Sequence, residues 1–232
     1  MAARKTKFEN GELYHIYNRG VDKRDIFLDA TEYRRFLQSM TEFNVIEPIG
    51  SIYEKSIADK DKTGLGRRAS NGVKKKKSCL VNFIAYCLNP NHYHFILEQK
   101  VDNGIEKFMH RLGTGYSKYF NNKYQRSGAL FQNRFQSIHV DSNEYLLHLS
   151  VYVNLNDRLH PEFGRTASKR AWSSWNEYCR PPHRNDLSFC KRTIILDQFK
   201  NQKEYIDFAK ETLPNIIERK TLDKELAISL ID

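Results

Sequence analysis

Asn89-Pro90-Asn91-His92-Tyr93-His94-Phe95-Ile96-Leu97 sets two histidines one residue apart at the head of an apolar run. Side chains alternate along a strand, so His92 and His94 share one face while Tyr93 and Phe95 take the other. Two imidazoles on one face can grip a divalent ion, and an ion beside a phosphodiester favours phosphoryl transfer. The same pair also suits an ordinary strand whose rings are satisfied by hydrogen bonds, so the surrounding sequence has to decide.

Working outward, Cys79 to Leu88 is a continuous apolar run that reads as a central strand. Asn89-Pro90-Asn91 turns the chain, and His92 to Glu98 returns as the antiparallel partner. A helix is expected from about Asn103 to Tyr124, with Ile105, Phe108, Met109, Leu112, Tyr116, Tyr119 and Phe120 at helical spacing as core residues. The turn Gly128 to Phe135 leads into a strand ending near Val140, and Asp141 or Ser142 caps a helix running to about Asn156. Toward the amino terminus, Leu13-Tyr14-His15-Ile16-Tyr17-Asn18 reads as a strand stopped by Arg19-Gly20. Asp29 to Phe43 is an amphipathic helix and Val45 to Ile57 an extended segment. The order strand, helix, strand, strand, helix, strand, helix is the split βαβ or ferredoxin-like (RRM-like) arrangement. It is an α+β fold, an antiparallel sheet with helices on one face. Beyond residue 160 the chain turns more polar. Trp172, Trp175 and Tyr178 precede Pro181-Pro182, after which Ile194 to Thr212 and Leu213 to Ile231 look helical. The expected division is a domain at 1–160 and a helical extension at 161–232.

Hydrophobic residues at 40% with 12% aromatics describe a chain that buries a core and exclude a disordered one. Lys and Arg number 38 against 28 Asp and Glu, a net charge of +10 that draws polyanions, nucleic acid first. Much of the basic excess lies in residues 60–77, where Lys60, Lys62, Arg67, Arg68 and Lys74-Lys75-Lys76-Lys77 alternate with glycines and small polar residues. This stretch is a basic insertion, a solvated tether or a nucleic-acid arm. The amino terminus has charge but no following apolar region, and no run is long enough to span a bilayer, so neither a secretory signal nor a membrane partner is expected. Cys79, Cys87, Cys179 and Cys190 form no Cys-x-x-Cys pair and read as reduced thiols in a cytoplasmic protein.

Tyr152 and Asn156 lie four apart on the last helix of this domain and so share a face. A phenol and an amide placed there can face the histidine pair, the amide completing a metal shell and the phenol attacking phosphorus. Spacing alone leaves open the other reading, a packed tyrosine with its hydroxyl in water.

These stretches together resemble a family. His92-Tyr93-His94 after Asn89-Pro90-Asn91, Tyr119-Phe120-Asn121, Gly128 to Phe135 and Tyr152-Val153-Asn154-Leu155-Asn156 are similar in order and spacing to the REP-associated tyrosine transposases. Those are relatives of the single-tyrosine HUH transposases (the IS200-like transposase domain). Tyr14 to Gly20 and Trp172-Ser173-Ser174-Trp175 fit the same group. The resemblance implies an RRM-like palm with a divalent ion, Mg²⁺ or Mn²⁺, on His92, His94 and Asn156. It implies Tyr152 as the nucleophile toward single-stranded or hairpin DNA. The chain departs from the family where Asp157 replaces a frequent proline, so Asp157 either reaches the ion or ends the helix. The DNA contacts expected from charge are Arg67, Arg68, Lys74, Lys75, Lys76, Lys77 and Arg134. The implied function is DNA transposition or repeat mobilisation through a 5′-phosphotyrosine. The alternatives are a non-catalytic nucleic-acid-binding protein on the same scaffold and an HUH replication initiator or relaxase. The sequence leaves monomer and homodimer both open.

Overall fold

Alternation of apolar side chains on the strands sets the layers. The computed structural model describes residues 6–50, 52, 54, 78–159, 171–180 and 189–229. Four strands, β1 (Leu13–Arg19), β2 (Val81–Asn89), β3 (His92–Gln99) and β4 (Gln136–His139), are joined by a fifth, β5 (Trp172–Ser173). They form one sheet in the order β4-β1-β3-β2-β5, and every neighbouring pair is antiparallel. The β2–β3 hairpin is therefore central, and its tip carries the histidine pair.

Tyr14 and Ile16 on β1, with Tyr93, Phe95 and Leu97 on β3, point into a cluster with Phe36, Phe108, Leu112 and Tyr116. These come from α1 (Ala30–Glu42) and α2 (Gly104–Lys123), which cover one face. Both helices were expected, and the stripe on α2 is core. At the start of α1 the Asp29 side chain accepts from Thr31 N at 2.6 Å, while Glu32 accepts from Asp29 N at 2.8 Å. Such a reciprocal cap is worth ~1 kcal/mol.

The second face is not bare, contrary to the expectation of helices on one side only. Ile84, Ala85, Cys87 and Ile96 pack against Leu146, Leu149 and Val153 of α3 (Asn143–Asn154). A bulge between Phe83 and Ala85 turns Ile84 and Ala85 both to this side. Strands that are apolar on both faces need cover on both, which is why β2 reads as an unbroken apolar run.

The expected carboxy-terminal helices also differ. After α4 (Trp175–Cys179) and α5 (Thr193–Leu196) comes one long helix, α6 (Gln202–Ser229), which runs straight through Pro214. Proline costs α6 the hydrogen bond to the Lys210 carbonyl, but its φ suits a helix, and Ala209, Leu213 and Ile216 hold the segment on Val151 and Leu155. The break falls earlier, where Asn201 Oδ1 accepts from Glu204 N at 3.0 Å. Tyr178, Ile195 and Tyr205 of this region share the cluster beneath α3. In the stretch expected to be extended, Ile52 and Glu54 are helical, Ile52 is buried, and no strand lies among its described residues. Among the described residues, no helix is long and apolar enough to cross a membrane.

Candidate metal and nucleic-acid site

The hairpin tip is fastened before it is functional. Pro90 O accepts from Ile26 N at 2.7 Å and Phe27 N at 2.9 Å, and Asn91 O accepts from Gly20 N at 2.8 Å. A side chain at Gly20 would strike the Arg24 carbonyl, so the close approach requires glycine. β1 lies beside the tip with Arg19 opposite His92 and Tyr17 opposite His94. On the other side Asn89 is paired with His92 and Cys87 with His94.

His92 and His94 do project to one face. Their ring centroids are 5.2 Å apart with the planes at 87°. Each ring is held through Nδ1. His92 Nδ1 lies 2.6 Å from Asn91 Oδ1, and Asn91 Nδ2 donates to Lys23 O at 3.1 Å, which fixes the amide orientation. The Asn91 oxygen can only accept, so His92 carries its proton on Nδ1 and presents a lone pair at Nε2. His94 Nδ1 lies 2.9 Å from His15 Nε2 in a buried contact.

Asn156 closes the arrangement. α3 ends at Asn154, two residues short of expectation, and Asn156 begins a 3₁₀ turn, Asn156–Leu159. The 3₁₀ turn still carries the residue to the histidines: Asn156 Oδ1 lies 3.1 Å from His92 Nε2. Asn89 Nδ2 donates to Asn156 Oδ1 at 2.8 Å and to His92 Nε2 at 3.0 Å. Asn156 Nδ2 is buried without a hydrogen-bond partner.

Tyr152 stands over the same face, its ring edge-on to His94 at 5.4 Å and to His15 at 5.9 Å. Burial pushes its phenol above the ordinary tyrosine value, and the Asn156 side chain pulls it the other way. The Asn156 amide thus lies close enough to Tyr152 to act on its phenol. Burial pushes His15 down to about 4, so this ring is neutral.

The donor set suits a divalent ion: the His92 and His94 imidazoles and the Asn156 amide oxygen can each offer a lone pair. Among the described residues no three His, Cys, Asp or Glu side chains are grouped so as to hold a metal ion, so Asn156 is the candidate third ligand beside the two histidines. Asp157 is instead drawn to the Cys87 side, and burial raises its carboxyl. A cleft of about 640 Å³ opens over the pair, its wall including Tyr17, Arg19, Lys23, Gln136, Tyr152 and Lys220.

The structure therefore brings His92, His94, Tyr152 and Asn156 together. It does not bring Arg134 to them. That side chain lines a separate cleft with Asn121, Phe131 and Phe135 that adjoins the first only through Asn18 and Asn133. Arg67, Arg68 and Lys74 to Lys77 lie outside the described residues. Asn89 and Asn91 were read only as turn residues, and His15 and Lys220 were not singled out at all. Asn89 and Asn91 carried a signal in their polarity beside the histidines. His15 depends on sheet register and Lys220 on tertiary packing, and neither is local.

A solved structure, that of a REP-associated tyrosine transposase bound to a REP hairpin, is similar at 14% identity and a TM-score of 0.47 over 83% of this chain and 98% of that one. No curated protein matches the chain. The model of the IS200-like transposase family matches residues 52–156, a span that holds the histidine pair, Tyr152 and Asn156. Residues 52–156, a little under half of the chain, are thus similar to the transposase domain of the IS200-like family.

Proposed function

We propose that this protein is a metal-dependent tyrosine transposase that cuts and rejoins single-stranded or hairpin DNA through a 5′-phosphotyrosine intermediate. The observation that carries this reading is the convergence of His92 Nε2 and Asn156 Oδ1 at 3.1 Å, with the ring of Tyr152 edge-on to His94 at 5.4 Å. On this reading residues 1–160 are the catalytic unit, with residues 60–77 as a basic insertion, and 161–232 a helical extension.

His92, His94 and Asn156 would hold Mg²⁺ or Mn²⁺, and the nitrogen-rich set favours Mn²⁺. When bound, the ion supplies charge neutralisation and orientation at a phosphate oxygen. Tyr152 Oη forms the bond to phosphorus, and the 3′-oxygen of the upstream strand leaves as a hydroxyl. The reverse attack by a 3′-hydroxyl on the phosphotyrosine restores a phosphodiester. One ester replaces another at each step, so no nucleotide cofactor is consumed. A free tyrosine is a poor nucleophile at neutral pH, with a pKa of about 10. Asn156 Nδ2 offers a hydrogen bond that favours the phenolate. Arg19, Lys23 and Lys220 line the cleft and offset the charge of the DNA backbone.

The test is incubation with a single-stranded oligonucleotide in Mn²⁺, labelled in turn at either end. A 5′-phosphotyrosine keeps the 3′-labelled fragment on the protein and releases the 5′-labelled one with a free 3′-hydroxyl. Capture of the 5′-labelled fragment, or no covalent species with any DNA, contradicts the proposal.

A further inference from the structure

The bond between His15 and His94 joins two nitrogens 2.9 Å apart, and one proton must lie between them. Which ring owns it decides what His94 can do. If His15 Nε2 donated, His94 would carry its own proton on Nε2 and turn an N–H toward Tyr152 and the cleft. If His94 Nδ1 donates, its Nε2 is a lone pair, matching the state that Asn91 enforces on His92. His15 is 6% exposed and sits on β1 opposite Ile96, two positions along β3 from His94. Its ring is nearly coplanar with that of His94, with centroids 5.1 Å apart and planes at 21°, as a hydrogen bond between ring nitrogens requires. The contact is thus buried, and His15 is not among the residues lining the cleft over His92 and His94.

We infer that His15 is a positioning residue: its Nε2 accepts the Nδ1–H of His94 and so holds His94 in the tautomer and orientation that present Nε2 to the divalent ion. The inference rests on the proposed metal site for its use, but the tautomer it assigns exists without metal. Partners of this kind behind a metal-ligating histidine set its ring orientation and its basicity, and their loss typically costs about 10- to 100-fold in affinity. His15 then bears its proton on Nδ1, and its side chain lines a second cleft with Ser142, Tyr145 and His148.

Mn²⁺ titration calorimetry on the full chain compares wild type, His15→Phe and His15→Gln, with the melting temperature of each metal-free protein recorded alongside. Phenylalanine fills the space without accepting a hydrogen bond, whereas the glutamine amide oxygen can accept from His94. His15→Phe should bind Mn²⁺ about 10- to 100-fold more weakly, and His15→Gln should recover to within about threefold of wild type. Phe binding as tightly as wild type, or Gln losing as much as Phe at matched melting temperatures, overturns the inference. Nitrogen-15 spectra of the metal-free protein test it separately from the metal site. His94 should be protonated on Nδ1 in wild type and shift toward the Nε2–H form in His15→Phe. An Nε2-protonated His94 in wild type overturns the inference even where Mn²⁺ binds. Should wild type bind no Mn²⁺, the proposed function fails, and the tautomer measurement alone still decides the role of His15.

Discussion

His92 Nε2 and Asn156 Oδ1 stand 3.1 Å apart, and both are hydrogen-bond acceptors. Asn91 holds the His92 proton at Nδ1, and the Asn89 amide, donating to Asn156 Oδ1, keeps that oxygen turned inward. Two facing lone pairs repel unless a positive group lies between or before them. Asn89 Nδ2 meets part of that demand, and a divalent cation in the open cleft would meet the rest. The pair comes from a hairpin tip and from the end of a helix 64 positions away in sequence, so only the fold could bring them together.

Removing His92 or His94 should abolish Mn²⁺ binding, whereas Asn91→Ala should only weaken it. Without Asn91 the His92 ring can take either tautomer, and about 10- to 100-fold of affinity is expected to go. Calorimetric titration with Mn²⁺ measures all three variants. Full affinity in His92→Ala or His94→Ala would place the ion elsewhere.

Asn156→Asp separates the two ends of the amide. A carboxylate binds a divalent ion at least as well as an amide oxygen, so Mn²⁺ affinity should hold or rise. The donor that favours the Tyr152 phenolate is lost, and a negative charge replaces it, so the phenol pKa, already raised by burial, rises further. A hydrogen bond to a charged group is worth ~1.5–3 kcal/mol, which corresponds to roughly 10- to 100-fold in rate. Below its pKa the phenolate fraction grows about tenfold per pH unit, so cleavage should climb with pH in both proteins. Cleavage rates between pH 7 and 9 check this, and a wild-type rate in Asn156→Asp at pH 7 would remove Asn156 from the step.

What could be read in the sequence was local. The shared face of His92 and His94 follows from a two-residue period, and the nearness of Tyr152 to Asn156 follows from a four-residue step, even though α3 stops at Asn154. The strand and helix order likewise gave the α+β sheet. What stayed hidden depends on pairing over distance. His15 reaches His94 because β1 aligns with β3 in one register, and Lys220 enters the cleft from a helix that follows the sheet by many residues. Helices on the second face were missed because a buried strand reads the same whether one layer or two cover it. β5 was missed because two residues, Trp172 and Ser173, are too few to show a period.

Ser174 ties β2 to α3. Its Oγ accepts from Tyr86 N at 2.9 Å and donates to Asn154 Oδ1 at 2.6 Å, while Asn154 Nδ2 donates to the Tyr205 hydroxyl at 3.0 Å. All of these groups are buried, so Ser174→Ala leaves a main-chain donor unpaired and should cost ~1–3 kcal/mol. Urea denaturation would register that loss, with DNA cleavage by the folded fraction staying near wild type. Unchanged stability would make the network dispensable.

The basic stretch at residues 60–77 should add affinity and no chemistry. Each phosphate it neutralises contributes about −0.7 to the slope of log affinity against log salt for a single strand. Deleting the stretch should flatten the slope and weaken binding to unrelated sequences alike. A slope identical to wild type would reduce the stretch to a tether.

The central claim is that Tyr152 attacks the DNA, and thirteen tyrosines in the chain make it open to error. Tyr116 is buried against Ile26 O at 2.6 Å, so it is engaged in the core. Tyr145 lies seven residues before Tyr152 on α3, ~10 Å away along the axis. Tyr17 faces the cleft as well, from β1, and is the nearest rival, its ring 5.7 Å from that of His94. The decisive measurement is peptide mapping of the adduct trapped with single-stranded DNA in Mn²⁺, beside the same reaction with Tyr152→Phe. A DNA-linked peptide containing Tyr152 is expected, and in Tyr152→Phe no adduct despite unchanged Mn²⁺ binding. A linked peptide carrying Tyr17 or any other tyrosine, or an adduct that persists in Tyr152→Phe, would contradict it.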